Sequence, residues 1–320
     1  MANFSGSFRI GIVPLEGFAL MSYAAIVEPL RAANTLEGKI LYDVKAVQVG
    51  PDPTLSSGGD LIPNQITIQN APEFDLVLVT AAGNALDYNN SVLAAWLRRV
   101  ARMGTQVGGV SAAPLYLARN GFLNGRRMTI HWEHSDYLQE IVPNALLEHS
   151  LYVIDRDRLT CGGGTAPIDL MLALISNQHG QKLAQLVGDW FLHTSIRPSA
   201  GPQRASLAKR HSTTNAHVLS AIEAMEAHVA NPLQLAALAK IVGTSPRQLT
   251  RLFLAHVKMT PITFGRKIRL EKARNLLQTA SLSISDIALI TGFSSPAHFS
   301  TSYSVEYGVA PSQSRKKTKT

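Results

Sequence analysis

Cysteine is nearly missing from this chain: Cys161 stands alone among 320 residues. One thiol can neither close an intrachain disulfide nor supply a cysteine-rich zinc site, so the fold must rest on packed cores in a reducing compartment. No run of about 18 apolar residues occurs either, which excludes a membrane-spanning helix. The opening Met1–Arg9 lacks the apolar stretch of a secretory signal, so the expectation is a cytoplasmic protein with no membrane partner. Acidic residues run short in one half only. Residues 1–196 hold 13 Lys and Arg against 17 Asp and Glu, a balance of −4, and residues 197–320 hold 17 against 5, a balance of +12. That asymmetry predicts a neutral or acidic module joined to one that meets a polyanion such as nucleic acid.

Apolar residues make up 46% of the chain and charged ones only 16%, ample for real cores. At about 150 residues per domain, 320 residues predict two domains. The stretch 197–216, RPSAGPQRASLAKRHSTTNA, mixes Pro, Gly, Ser and basic residues without apolar periodicity. It is expected as a linker between an α/β domain, 1–196, and an all-α domain, 217–320.

The all-α part contains a repeat. At an offset of 49, Leu238-Ala239 falls on Ile287-Ala288 and Gly243 on Gly292. One inserted residue later, Leu249 meets Phe299, Phe253 meets Tyr303 and Pro261 meets Pro311. Each unit reads as a helix, a turn at glycine, cap residues, a proline in the first turn, and a second helix. This is a helix-turn-helix, which presents its second helix to the DNA major groove. The second helix of the first unit starts at Pro246 and carries Arg247, Gln248 and Arg251 on one face, residue types that pair two-point with guanine and adenine edges. The second unit starts with Ser295 and Pro296 and offers only Ala297, His298 and Thr301. Between them Pro261–Leu277 predicts a connecting helix with Arg266, Lys267, Arg269, Lys272 and Arg274, some of which should reach phosphates. The end, Arg315 to Lys319, reads as a disordered basic arm or a solubilising end.

LAALAKIVGTSPRQLTRLF, RKIRLEKARNLL and ISDIALITGFSSPAHFSTSYSVEYGVAPSQSR together resemble the DNA-binding domain of the AraC/XylS regulators, over His217–Lys316. The resemblance implies a transcription regulator reading successive major grooves of promoter DNA, with RNA polymerase as a further partner if it activates. Ser302-Tyr303 departs from the more usual Arg and Phe.

The first 196 residues alternate short apolar strands with helices: strands at Phe8–Pro14, Tyr42–Val49, Leu76–Thr80 and Thr105–Val110, helices at Gly17–Asn34, Val92–Met103 and Ala113–Asn120. That order predicts a mainly parallel sheet covered on both faces, with ligands at the carboxyl ends of its strands. Gly109-Val110-Ser111-Ala112-Ala113 is a strand-to-helix turn of the nucleophile-elbow type, departing from G-x-S-x-G at the last position. Ser111 is either an exposed nucleophile, with His131 or His134 as candidate base, or a residue capping a helix.

GTQVGGVSAAPLYLARNGFLNGRRMTIHWEH and LTCGGGTAPIDLMLALISNQHG are similar to the PfpI-type, glutamine-amidotransferase-like domain, in particular to the GlxA-type branch fused to an AraC-type domain. The resemblance implies a flavodoxin-like fold and a site at the elbow. It also implies a reactive Cys, often followed by His, where this chain has Ser111 and Ala112, and an acid where it has Ser22. Catalysis is therefore not expected, nor is a metal or cofactor. The alternative is an amidase or protease-like hydrolase using Ser111. The family fold brings Ala82, Gly83, Ser111, Ala112, His131, Trp132, Glu133, Gly163 and Thr165 to one pocket. Trp132 and Glu133 suit an alkylammonium and the helix start after Gly163 suits a carboxylate, so the expected effector is an amino acid, a betaine or a related amine. A homodimer through this domain is expected.

Overall fold

The computed structural model describes residues 6–63, 66–83, 88–279 and 282–316. It divides into two compact units at Gln203/Arg204.

The first unit opens with β1 (Phe8–Pro14), α1 (Leu20–Glu37) and β2 (Tyr42–Gln48), followed by the two-residue strands β3 (Thr54–Leu55), β4 (Leu61–Ile62) and β5 (Ile66–Thr67). Then come β6 (Leu76–Ala81), α2 (Ser91–Arg102), β7 (Gln106–Ser111), α3 (Ala113–Arg119) and β8 (Arg127–Met128). It ends with α4 (Ser135–Ile141), β9 (Leu146–Leu147), β10 (Tyr152–Asp155), β11 (Arg158–Cys161), α5 (Ala166–His179) and α6 (Gln181–Trp190). Among the described residues seven strands form one sheet in the order β10-β11-β7-β6-β1-β2-β5, parallel except for β10. The central strands are apolar because both faces are covered: LVLVTA of β6 is buried at every position. Ile26 and Leu30 of α1, together with Leu170, Met171 and Ile175 of α5, build the core on one face.

The expected linker is structured on both sides of the division. Ser199 accepts a hydrogen bond from the Leu151 amide at 2.8 Å, and Arg197 and Gln203 are fastened by their side chains to the first unit. Past the division, α7 (Leu207–Arg210) packs Leu207 into the core of the second unit, and Arg210 pairs with Glu226 at 2.8 Å. The stretch is polar in composition, and its anchors, the Ser199 carbonyl and the Arg197, Gln203 and Arg210 side chains, have partners far away in the chain.

The second unit continues with α8 (Ala216–Ala227), α9 (Leu235–Ile241), α10 (Pro246–Val257), α11 (Pro261–Thr279), α12 (Ile284–Ile290), α13 (Pro296–Tyr307) and α14 (Pro311–Lys316). The repeat is a repeat of structure. Gly243 and Gly292 both turn at φ +70°. Ser245 and Ser295 each cap the following helix by accepting the amide of Gln248 or His298. Leu249 and Phe253 are fully buried, as are Phe299 and Tyr303. Gly292 has a second reason to be glycine: a Cβ there would lie 2.4 Å from the Val229 carbonyl. The end read as an arm or a solubilising end is helical through Lys316, with Arg315 donating to the Leu282 carbonyl; residues 317–320 lie outside the described residues.

Candidate functional site

β7 delivers Ser111 at the carboxyl edge of the sheet, and the chain turns at once into α3. The turn forces Ser111 to φ +64°, a region L residues avoid. Ala81 is its register partner on β6, so Ala82 and Gly83 leave the sheet beside it. The Ser111 carbonyl accepts from the His131 amide at 3.2 Å, which fixes the segment 129–134 along the elbow. On the remaining side, a Cβ on Gly163, whose φ is +83°, would lie 2.6 Å from Ser111 Cβ, so glycine is required for the loop to close. Ser111 is thus bordered by Ala81, where β6 leads on to Ala82 and Gly83, by the His131 amide and by Gly163.

The chemistry of a nucleophile is incomplete there. Among the described residues no hydrogen bond links Ser111 Oγ to a histidine. Ser22 of α1, at the place of the family acid, is fully buried and accepts from the Gly164 amide at 2.9 Å. The helix start expected to receive a carboxylate is also partly committed: the Ala166 amide donates to the Gly163 carbonyl and the Ile168 amide to that of Thr165. Thr165 is exposed, and its Oγ1 accepts from Arg197 at 3.0 Å.

Trp132 to His134 form one tight turn at the edge of the site. The His134 amide donates to the His131 carbonyl at 2.9 Å, and Ser135 Oγ to that of Trp132 at 2.8 Å. His131 and Glu133 are half-buried and His134 is buried. Burial pushes the His134 imidazole down to about 4, with His131 adding to the effect. Burial also lowers His131 and raises Glu133. The imidazoles are therefore neutral at neutral pH.

Two further side-chain groupings fasten the end of this unit. Gln203 sits against Gly162, its Nε2 shares its two hydrogens among Ser150 O, Ile130 O and Thr129 Oγ1 at 2.7, 2.9 and 3.0 Å, and its Oε1 accepts from the Trp132 amide at 2.8 Å. Asp169 of α5, with no exposed surface, accepts from the Arg197 amide, Nε and Nη2 at 2.8, 3.0 and 2.6 Å and contacts His193 Nε2 at 2.9 Å. The signal for Asp169 was present: one acid inside the apolar run APIDLMLALI needs a buried partner. Gln203 carried no such signal.

On the second unit, Pro246, Arg247 and Arg251 of α10 are exposed and Gln248 is half-buried. Ser295, Pro296, Ala297, His298 and Thr301 are exposed on α13, where His298 Nδ1 lies 3.1 Å from Ser294 Oγ. On α11, Arg266 is exposed and Lys267 half-buried. Two of the expected phosphate donors have other work. Arg269 donates to the Gly292 carbonyl at 2.7 Å and lies 4.6 Å over the Phe293 ring, and Arg274 lies 4.9 Å over Tyr307. They fasten the connecting helix to the second motif.

The DJ-1/PfpI family matches residues 10–177, and a helix-turn-helix domain matches residues 238–317. The chain is 40% identical to the HTH-type transcriptional regulator GlxA of Rhizobium meliloti, over 97% of its own length and 96% of that protein. It is 38% identical to the HTH-type transcriptional regulator CdhR of Pseudomonas aeruginosa, over 94% and 89%. Among solved structures, an AraC family transcriptional regulator from Pseudomonas putida aligns with a TM-score of 0.53 and 25% identity, over 57% of this chain and 99% of that one.

Proposed function

The chain belongs to the DJ-1/PfpI family, in the GlxA-type branch of transcription regulators that end in an AraC-type helix-turn-helix domain, and from that premise we propose that its first unit senses a small zwitterionic metabolite and thereby sets how the second engages promoter DNA. The observation that carries this reading is the attachment of Gln203. Its side chain holds the Trp132 amide, and the next residue opens the DNA-binding unit. A ligand seated at Trp132 and Glu133 shifts that turn, strains the hydrogen bonds of Gln203 and so biases the junction. Trp132 offers its ring to an alkylammonium and Glu133 its carboxylate as countercharge. With the Gly164, Ala166 and Ile168 amides engaged, the hydroxyls of Ser111 and Thr165 serve as donors for the carboxylate end.

The same geometry supports a sensor without catalysis: a serine in place of the thiol, Ser22 in place of the acid and, among the described residues, no base hydrogen-bonded to Ser111. A hydrolase would lose its amide-cleaving activity on Ser111→Ala. A homodimer through the first unit belongs to the reading; Leu186, Trp190 and Leu192 are exposed on and just after α6, and sedimentation of the full chain distinguishes a dimer from a monomer.

The test uses operator duplexes selected from random DNA by the full chain. Wild type should change its operator affinity when amino acids, betaines or polyamines are added. Trp132→Ala and Glu133→Ala should bind operator in the absence of effector and lose the response. A normal response in both variants places the effector site elsewhere.

A further inference from the structure

The turn at the elbow brings together three groups that the sensor reading does not use as a set. His131, Glu133 and His134 each offer one ligand atom, and these atoms all lie within 4.8 Å of one another. His131 Nδ1 is 3.9 Å from Glu133 Oε2, and the two imidazole rings are 5.7 Å apart. His134, 3% exposed, has an Nδ1 with no hydrogen-bond partner among the described residues. A buried nitrogen in that state is costly unless something outside the chain satisfies it. We propose that His131, Glu133 and His134 form a binding site for a divalent transition ion of the zinc class.

The donor set selects the ion. Two imidazoles and one carboxylate suit zinc and its borderline neighbours, whereas calcium and magnesium take oxygen ligands. Bonds of about 2.0–2.1 Å at tetrahedral angles place ligand atoms roughly 3.3–3.4 Å apart. Closing from the present spacing requires the half-buried His131 and Glu133 side chains to rotate, and it releases the Glu133 amide that His131 Nδ1 now accepts at 3.4 Å. The backbone of the turn is held by His131 N on Ser111 O, Trp132 N on Gln203 Oε1 and Ser135 Oγ on Trp132 O. Three protein ligands leave a further position for water or another small donor. The site stands whether or not a metabolite binds. An ion and an alkylammonium compete for the Glu133 carboxylate, so binding is measured with metabolite absent.

The experiment is equilibrium dialysis of the chelator-stripped full chain against Zn²⁺, with metal content read by mass spectrometry and geometry read from the visible spectrum of the Co²⁺ form. One equivalent of zinc per chain is expected, with cobalt bands of a four- or five-coordinate ion. His131→Gln and Glu133→Gln, at half-buried positions, should weaken binding by at least the roughly 10–100-fold that even an outer partner of a metal ligand costs. His134→Gln should do the same where circular dichroism shows it folded. The proposal is overturned by failure to take up stoichiometric zinc, or by uptake that both His131→Gln and Glu133→Gln leave undiminished.

Discussion

Ser111 keeps the shape of an elbow without the thiol that gives the shape its use in enzymes. A non-glycine residue at φ +64° stores about 1–3 kcal/mol, and it persists because β6, the His131 amide and Gly163 confine it from three sides. The one thiol present is in the wrong place for that chemistry. Cys161 ends β11 opposite Val110, has no exposed surface, and burial pushes it up to about 12. Native protein at pH 8 should therefore resist a thiol reagent that labels the unfolded chain at once. The sign of the pH effect follows. The unfolded thiol ionises near 8.5 and the folded one far later, so the contribution is intact below that pH and is lost as pH rises above it. Wild type should lose up to about 1.4 kcal/mol per pH unit above pH 9 that Cys161→Ala does not lose. Rapid labelling of the native protein would show that Cys161 is not buried as described.

Helices and strands were legible where their pattern was local. The two motifs show in the chain because each carries its own caps, turn glycine and apolar stripe, and the apolar β6 declares itself by composition. The strands β3, β4, β5, β8 and β9 are two residues long, too short for any period. The roles of the arginines on α11 were not legible, since a basic helical face reads alike whether it meets phosphates or a neighbouring carbonyl. That division is measurable. Arg269→Ala removes a hydrogen bond to Gly292 and a ring contact, and should destabilise the second unit by about 1–3 kcal/mol while leaving the salt slope of DNA binding unchanged in the folded fraction. Lys267→Ala should instead weaken operator and scrambled DNA alike and reduce the salt slope by about one. On α10, Arg247→Ala or Arg251→Ala should weaken operator binding about tenfold or more and spare nonspecific binding, since a two-point base contact discriminates by roughly 1–3 kcal/mol. A larger loss of specificity from His298→Ala or Thr301→Ala would reverse the roles of the two motifs.

Across the whole molecule, the charge split and the fold split tell one story. The acidic half folds as the DJ-1/PfpI unit and the basic half as the helix-turn-helix unit. The join is where sequence reading ran out. A stretch rich in Pro, Ser and basic residues looks unstructured, yet Arg197 and Gln203 each find partners far away in the chain, and no local pattern announces a side chain with four hydrogen bonds. In the proposed function this join ties the sensor site to the start of the DNA-binding unit. The most direct measurement is a thermal-shift panel of amino acids, betaines and polyamines on the full chain in the presence of a chelator, repeated on Trp132→Ala. A ligand at about 100 times its Kd stabilises by about 2.7 kcal/mol, or roughly 5–10 °C for a unit of this size. Such a rise is expected for at least one zwitterion or amine with wild type, and none with Trp132→Ala. A flat panel, or a rise that Trp132→Ala retains in full, contradicts the proposed function.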